Sequence, residues 1–216
     1  MLHCPSWPGQ ECSALLCFFP TGEQISIFRP SEPVTREDFL KYSHQLTLDP
    51  NTTHNHLKLS EGNRVAERVK MSQSYPDHPD RFNSVIQVMC SEATSTRCYW
   101  EVEWSGNEVL IAVSYKGLKR KGNDNDVKLG FNMNCWSLLY QSSYFYFYHN
   151  GKLSKLPRAQ TPSRIGVYVD HRAGTLSFYS VSDNRTLLHK VETTFAEPLY
   201  PAFWLSSYDC KIKLSQ

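Results

Sequence analysis

"CYWEVEWSG", residues 98 to 106, alternates large apolar side chains with two carboxylates. If this stretch is a β-strand, alternate side chains share a face, so the two tryptophans lie on one side and Glu101 and Glu103 on the other. The carboxylates would then be about 6.5–7 Å apart, at the near edge of the spacing that inverting glycosidases use. Burial of Trp100 would stabilise the strand, whereas burial of two unpaired carboxylates would cost at least as much. We therefore predict that the tryptophans face a core and that both glutamates face solvent.

The same period-two alternation recurs from Leu46 to the end of the chain. Short runs such as "VLIAVSY" (109–115) and "GTLSFYSV" (174–181) are separated by turn formers such as "KGNDND" (121–126) and "HNGK" (149–152). Short strands broken by polar turns predict an all-β domain made of two antiparallel sheets packed face to face.

Upstream of these strands the sequence has a different character. Residues 1–34 contain several prolines and no sustained period, which predicts an irregular tail or the remnant of a preceding domain. Residues 35–45 predict a short capped helix, with Thr35 as the N-cap and Asp38 in the third helical position. We expect residues 46–216 to form the sandwich.

The composition argues against several classes of function. The 216 residues carry a net charge of +2 with basic and acidic side chains interspersed, so we expect no nucleic-acid partner. The longest apolar run, "ALLCFF" (14–19), is too short to span a bilayer. We therefore expect neither membrane insertion by this chain nor a signal peptide.

The cysteines favour a reducing compartment. They number seven, and no pair shows close metal-ligand spacing, which favours reduced thiols over a disulfide framework. We therefore expect a cytoplasmic location. Glycosylation sequons at 51–53 and 184–186 argue only weakly for secretion, because such short motifs often arise by chance.

Five motifs, in order along the chain, resemble those of the PRY-SPRY family. "LTLDPNTTHNHLKLSEGNRV" (46–65) is similar to the PRY segment. The other four are similar to the core motifs of the SPRY domain: "CYWEVEW" (98–104), "LGFNMNCWSL" (129–138), "RIGVYVDHRAGTLSFYSV" (164–181) and "TFAEPLYPAFW" (194–204). The resemblance covers about residues 44–216 and implies a PRY part at about 46–95 and a SPRY part at about 96–216. Cys135 stands where the family usually has serine, and His171 where tyrosine is common; both departures lie inside recognisable motifs.

The chain resembles one type of PRY-SPRY domain in particular. Domains of this type are found at the C-terminus of fish tripartite-motif proteins, NLR-type immune receptors and stonustoxin-like toxins. The resemblance implies a bent, concanavalin-like β-sandwich that binds proteins or peptides, with no catalytic activity and no cofactor. We therefore expect the partner- or pathogen-recognition module of an innate-immune or ubiquitin-ligase-like protein. Two alternatives stay open: a toxin-type domain that targets a cell-surface protein or glycan, and a glycosidase on the same sandwich.

The residues themselves give little support to an enzyme. Concanavalin-like glycosidases carry Glu-x-Asp-x-x-Glu on one strand, but the frame that starts at Glu101 has Gly106 in place of the last glutamate. Neither a Gly-x-Ser-x-Gly elbow nor a His-Glu-x-x-His motif occurs in the sequence. His54 and His56 alternate like a strand pair, but a zinc site needs three or four ligands, so we expect no metal.

We expect a protein or peptide ligand to bind through loops that meet at one end of the sandwich. "QSYPDHPDRF" (73–82) is the longest clear break between strands and offers three anchor-type side chains. We predict that it converges with three other turns to form one contact surface: Tyr75, Arg81, Phe82, Tyr115, Lys116, Tyr140, Tyr144 and Tyr208. The alternative is that Phe82 fills the core beneath its loop and that the tyrosines are scattered. The isolated domain is expected to be a monomer.

Two further stretches bear on binding. "KGLKRKGNDND" (116–126) is either a basic contact loop for an acidic partner or a solvated hairpin whose charges compensate one another. "YFYFYH" (144–149) places aromatic side chains on both faces of one strand. One of these faces is expected in the core, and the other is either partly covered or left as an exposed apolar patch.

Overall fold

The structure, a computed structural model, describes residues 32–182 and 185–215. Within these residues it contains a single short helix and two antiparallel β-sheets, which confirms the predicted all-β sandwich with a short N-terminal helix. The elements are α1 (Arg36–Leu40), β1 (Leu57–Ser60), β2 (Val65–Arg68), β3 (Gln87–Met89), β4 (Arg97–Ser105), β5 (Glu108–Tyr115), β6 (Cys135–Gln141), β7 (Tyr144–His149), β8 (Lys152–Lys155), β9 (Arg164–Asp170), β10 (Thr175–Val181), β11 (Thr186–Glu192), β12 (Leu199–Leu205) and β13 (Lys211–Leu214).

The strands divide between a seven-stranded and a six-stranded sheet. The seven-stranded sheet has the order β1-β2-β13-β4-β9-β10-β11, and the six-stranded sheet has the order β3-β12-β5-β6-β7-β8. Non-consecutive neighbours such as β13 and β4 show that the chain passes repeatedly from one sheet to the other, as in other β-sandwiches.

The core lies between the two sheets. Trp100 and Val102 point into it from β4 and are only 3% and 0% exposed. They belong to one apolar cluster with side chains of the six-stranded sheet, including Val113 and Phe203. Trp104 is half-buried, with its ring centroid 4.3 Å from that of Tyr140. The apolar face predicted for this strand is confirmed.

A second apolar layer covers the outer face of the seven-stranded sheet. Thr35 caps α1 by accepting a hydrogen bond from the backbone of Asp38, whose carboxylate accepts one from the Thr35 backbone. This capping box sets the start of the helix. Phe39, fully buried, then inserts among three tyrosine rings at centroid distances of 5.0–5.2 Å: Tyr99, Tyr168 and Tyr179.

The same helix overturns one prediction about β4. Glu103 is exposed as predicted, but Glu101 is only 4% exposed. Its carboxylate accepts hydrogen bonds from Arg36 on α1 at 2.8 and 2.9 Å and from Arg164 on β9 at 2.9 Å. The expectation of two solvated glutamates assumed that a buried carboxylate lacks a partner. Here two guanidinium groups offset the cost of burial, and α1 covers the part of this face that contains Glu101.

The strand register defines two ends of the sandwich. The β6–β7 turn, Ser142–Ser143, marks what we call the Ser142 end, and the β7–β8 turn, Asn150–Gly151, marks the Gly151 end. β5 begins at the Ser142 end, where Glu108 pairs with Gln141, and finishes at the Gly151 end. Seven residue steps along a strand separate the two ends by about 23 Å.

Candidate functional site

The predicted contact residues do not converge on one end of the sandwich. Tyr140 and Tyr144 lie on β6 and β7 at the Ser142 end, and Tyr208 lies in the connection that follows β12 at the same end. Tyr115 is the last residue of β5 and pairs with Leu199, so it lies with Lys116 at the Gly151 end. The register therefore splits the predicted surface, because loops meet only if their strands finish at the same end.

In the 73–82 loop, the three side chains that were predicted to contact a partner are used for contacts within the domain. The Tyr75 hydroxyl accepts a hydrogen bond from the Leu59 backbone at 3.1 Å and donates one to the Leu57 carbonyl at 3.0 Å. Arg81 is 5% exposed and donates to the carbonyls of Pro50, Thr53 and Pro76 at 2.6–2.8 Å. Phe82 is 0% exposed. It therefore fills the core beneath its loop, as the alternative interpretation of this residue predicted.

The other predicted residues are more accessible. Tyr208 is 52% exposed, and the Arg68 guanidinium lies 4.9 Å from its ring centroid. The Lys155 ammonium lies 3.3 Å from the ring centroid of half-buried Tyr144. At the opposite end, the Tyr115 hydroxyl accepts a hydrogen bond from the Ala196 backbone at 2.9 Å. Their role in partner binding stays a prediction.

A cleft of about 490 Å³ opens on the outer face of the six-stranded sheet. Three residues in direct register across adjacent strands line it: Trp204 on β12, Leu110 on β5 and Leu139 on β6. Because alternate residues share a face, these side chains point away from the core between the sheets. None of the predicted contact residues lines this cleft.

The long connection after β5 explains why this face is open only in part. Leu118, Val127 and Leu129 fold back onto the outer face and are buried there with Phe82. Gln87 ties the connection down, because its side chain donates to the Val127 carbonyl at 2.6 Å and accepts from the Leu129 backbone at 3.3 Å. The connection covers one part of the sheet and leaves the cleft beside it.

Polar groups are placed at the rim of the cleft. The Gln141 amide donates to the Glu108 carboxylate at 2.5 Å. Arg68 donates to the carbonyls of Leu205 and Ser206, while its Nε is buried without a hydrogen-bond partner among the described residues. An apolar floor with a few polar groups at its edge is the usual composition of a ligand site.

Part of this surface was visible in the sequence. Tyr148 lines the cleft from β7, on the second face of "YFYFYH" that was expected to be partly covered or exposed. Leu110, Leu139 and Trp204 were missed, although β5 is apolar on both faces, with six consecutive buried residues. The signal in the sequence is the continuous apolar run "VLIAV" (109–113), because a strand that is apolar on both faces has a covered outer face.

The basic stretch 116–126 and the histidine pair have local partners. The Lys119 ammonium lies 2.5 Å from the Asp124 carboxylate, so part of the charge of this stretch is compensated within it. The rings of His54 and His56 stack 5.6 Å apart, and burial and the neighbouring His56 lower the pKa of His54 to about 4. Residues 32–182 and 185–215 contain no group of three or more potential metal ligands, and no helix there is long and apolar enough to cross a membrane.

Two antiparallel sheets with an open apolar cleft on one outer face define a β-sandwich of the binding-domain class. The family model of the PRY domain, described as a SPRY-associated domain, matches residues 46–94. The family model of the SPRY domain matches residues 97–216. The chain therefore belongs to the PRY-SPRY family, and the resemblance found in its motifs is confirmed.

Relatives carry this domain within longer proteins. Tripartite motif-containing protein 16 of Mus musculus is 37% identical over 187 residues, which cover 85% of this chain and 33% of that protein. Stonustoxin subunit beta of Synanceia horrida is 41% identical over 180 residues, which cover 82% of this chain and 25% of the subunit. The chain thus spans a third or less of the length of these two relatives.

Solved structures show the same sandwich. The stonustoxin structure matches with a TM-score of 0.78 and 35% identity, over 83% of this chain and 30% of that one. The crystal structure of the TRIM65 PSpry domain matches with a TM-score of 0.76 and 28% identity, over 87% of this chain and 98% of that one.

Proposed function

We propose that the chain is a non-catalytic protein-interaction module that binds a peptide segment of its partner in the cleft on the six-stranded sheet. The observation that carries this proposal is the apolar row of Trp204, Leu110 and Leu139 that lines an open cleft on an outer sheet face. A volume of about 490 Å³ lies within the range of about 300–1,000 Å³ typical of ligand sites.

The floor and the rim have different roles in this proposal. The apolar floor accepts one or two apolar side chains, whose removal from water supplies most of the affinity. Gln141 and Glu108 at the rim bind the partner's backbone and fix its direction. Trp204 is the expected hot spot, because large aromatic side chains near the centre of an interface dominate binding energies.

The environment of Glu101 supports a structural role for this residue over an acid–base role, in line with a non-catalytic module. Burial raises the pKa of its carboxyl, but hydrogen bonds from Arg36 and Tyr99 and the charges of Arg36 and Arg164 outweigh burial and lower it. A carboxylate held ionised by two arginines is a poor proton donor. Its partner in the predicted pair, Glu103, is exposed on the same strand.

We further propose that this module is the recognition domain of a longer intracellular protein of the tripartite-motif type. Similarity to tripartite motif-containing protein 16 supports this context. Free, buried thiols at Cys90, Cys98, Cys135 and Cys210 suit a reducing compartment. The similarity to stonustoxin subunit beta supports the alternative, a domain that targets a cell-surface protein or glycan in a toxin-type protein.

A random-peptide display library tests the cleft directly. Peptides selected on the wild-type chain are measured against Trp204→Ala and the rim variant Gln141→Lys, with thermal unfolding to show that both variants fold. We expect Trp204→Ala to weaken binding about 30-fold, which corresponds to about 2 kcal/mol.

Tyr115→Ala is the matched control, because it removes an aromatic ring at the Gly151 end, outside the cleft. It should leave the affinity of the selected peptides within about twofold. If Tyr115→Ala abolishes binding while Trp204→Ala and Gln141→Lys do not, the partner site lies at the other end and the cleft assignment is wrong.

A further inference from the structure

The outer edges of both sheets expose backbone groups that must be satisfied or protected. At β1, the Tyr75 hydroxyl binds both the Leu57 carbonyl and the Leu59 amide. At β3, the Met89 carbonyl accepts a hydrogen bond from Asp49. At β11, a bulge in the ladder to β10 opposite Phe178/Tyr179 makes the strand irregular, which is one way in which edges are protected. Three of the four sheet edges are thus capped, paired or irregular.

The remaining edge, β8, is bare. All four of its residues, Lys152–Lys155, are exposed. The Leu156 amide bonds to the Phe145 carbonyl, so alternation along the β7–β8 ladder turns the N–H and C=O groups of Leu153 and Lys155 outward. Within the part of the chain that the structure describes, no other segment bonds to these outward groups.

The stretch of sequence that contains this edge has charged side chains of one sign only. No Asp or Glu occurs between Asp126 and Asp170, whereas this segment includes Lys152, Lys155 and Arg158. Leu153 is 48% exposed between the two lysines and pairs with Tyr148, which lines the cleft. The edge therefore offers two backbone positions, one apolar contact and flanking positive charges.

We propose that β8 is a docking edge for an extended acidic segment of a protein partner, which adds to the six-stranded sheet as an antiparallel strand. Main-chain hydrogen bonds to Leu153 and Lys155 hold the segment, and side chains supply specificity. An apolar residue of the partner lies opposite Leu153, and acidic residues lie opposite Lys152 and Lys155. This surface is separate from the cleft and does not rest on the cleft being occupied.

Charge selects this occupant over a second copy of the chain. Antiparallel pairing of two β8 strands would place the lysines of one copy near those of the other, and like charges across strands are destabilising. Edge lysines are a common protection against such self-association. An acidic strand turns the same lysines into favourable contacts.

The experiment uses acetyl-Thr-Glu-Thr-Val-Glu-Thr-amide and the same peptide with lysine in place of each glutamate. Amide hydrogen exchange and an NMR titration are measured on the wild type and on the double variant Lys152→Glu/Lys155→Glu. We expect the acidic peptide to protect the amides of Leu153 and Lys155 in the wild type. The double variant should bind it at least tenfold more weakly and should instead bind the lysine peptide.

Lys70→Glu/Lys116→Glu is the matched control, because it reverses two exposed lysines that lie outside β8 and outside the cleft. It should bind the acidic peptide as the wild type does. Trp204→Ala should also leave binding at β8 unchanged, which separates this surface from the cleft. The proposal is overturned if the peptide protects only cleft amides, if charge reversal has no effect, or if the bare edge drives dimerisation instead.

Discussion

Glu101 forms the ionic connection between α1 and the seven-stranded sheet. Its carboxylate bridges Arg36 on the helix and Arg164 on β9, and the Tyr99 hydroxyl donates to it at 2.9 Å. Both arginines are partly solvated, with 45% and 33% of the side chain exposed, whereas the glutamate is buried. The buried partner of such a network is the residue on which the contact depends.

We predict that Glu101→Gln lowers the free energy of unfolding by about 1.5–3 kcal/mol, because it weakens hydrogen bonds to charged groups. Glu103→Gln, on the exposed face of the same strand, should change it by less than about 0.5 kcal/mol. Urea unfolding at neutral pH measures both. Equal effects of the two substitutions would contradict the bridging role of Glu101.

The difference between the wild type and Glu101→Gln should depend on pH. The pKa of Glu101 is lowered from its ordinary value of 4.5, so ionisation of this group stabilises the fold above that pH. The stabilisation is lost as the pH falls from about 4.5 through the lower folded-state pKa. Unfolding curves at pH 7 and at successively lower pH should therefore converge for the two proteins. A constant difference down to the acid limit would mean that the ion pairs contribute nothing.

Gly166 makes room for the tyrosine that contacts Glu101. It pairs with Glu101 across β4 and β9, and a Cβ at this position would lie 2.6 Å from the Tyr99 hydroxyl oxygen. We predict that Gly166→Ala displaces the buried ring and lowers stability by about 1–3 kcal/mol. Gly117→Ala is the control, because nothing lies within 4 Å of its added methyl. Thermal unfolding that ranks the two glycines alike would refute this packing.

At the scale of single elements, the turns on either side of β7 differ in how well their residues suit the backbone conformation of the turn. Both have positive φ at each central residue, 51° and 66° at Ser142–Ser143 and 49° and 70° at Asn150–Gly151. Asn-Gly suits such a turn, whereas serine with positive φ is strained. The Ser142 turn therefore holds its hairpin at a conformational cost that the Gly151 turn does not have.

Opposite substitutions in the two turns should have opposite effects on stability. Ser143→Gly relieves a strained φ and should stabilise the protein by up to about 1 kcal/mol. Gly151→Ser introduces the same strain and should destabilise it by about 1 kcal/mol or more. Chemical denaturation of both variants tests the pair, and destabilisation by Ser143→Gly would show that the serine side chains make contacts that outweigh the strain.

At the scale of the whole molecule, the described segment before β1 covers part of the outer face of the seven-stranded sheet. Glu32 accepts hydrogen bonds from Tyr179 at 2.8 Å and Ser177 at 3.1 Å and pairs with Lys190 at 2.9 Å. The Arg185 guanidinium stacks 3.8 Å above the Phe39 ring centroid. The PRY-SPRY sandwich thus extends upstream of the residues that the family models match, 46–94 and 97–216.

This arrangement predicts where shortening of the chain destabilises it. The prediction that residues 1–34 form an irregular tail falls mainly on residues 1–31, which lie outside the described residues, and it stays a prediction. Because the tail has several prolines and no sustained period, we expect it to contribute little to stability. A chain beginning at Glu32 should unfold within a few degrees of the full chain, whereas one beginning at His44 loses Phe39 and both contacts of Arg36. Loss of Phe39 alone costs about 3–5 kcal/mol, or about 6–20 °C in Tm.

Phe39→Ala in the full chain is the milder test of the same contact, in case the shorter chain does not fold. Differential scanning calorimetry should give a similar decrease in Tm for Phe39→Ala. An unchanged Tm would show that the tyrosine cluster is stable without the helix. A large decrease for the chain beginning at Glu32 would instead mean that the tail contributes to the fold.

The sequence by itself determined the properties that depend on neighbouring residues. Alternation fixed which face of β4 enters the core, Asn150–Gly151 fixed a hairpin turn, and Thr35 with Asp38 fixed the start of α1, because each involves groups at most a few positions apart. Five ordered motifs were sufficient to assign the family for the same reason: each preserves a local pattern of strand and turn.

Only the tertiary structure decided which outer faces are covered. Arg36 reaches Glu101 across 65 positions of sequence, and no local pattern reports such a partner. The apolar row in the cleft likewise comes from three strands that become neighbours through pairing, with Leu110 between Leu139 and Trp204. The predicted loop surface failed to converge because register, which couples distant segments, placed Tyr115 and Tyr144 at opposite ends. Whether a strand's second face meets water, a helix or a ligand depends on elements remote in sequence, so it was set by packing and not by the strand itself.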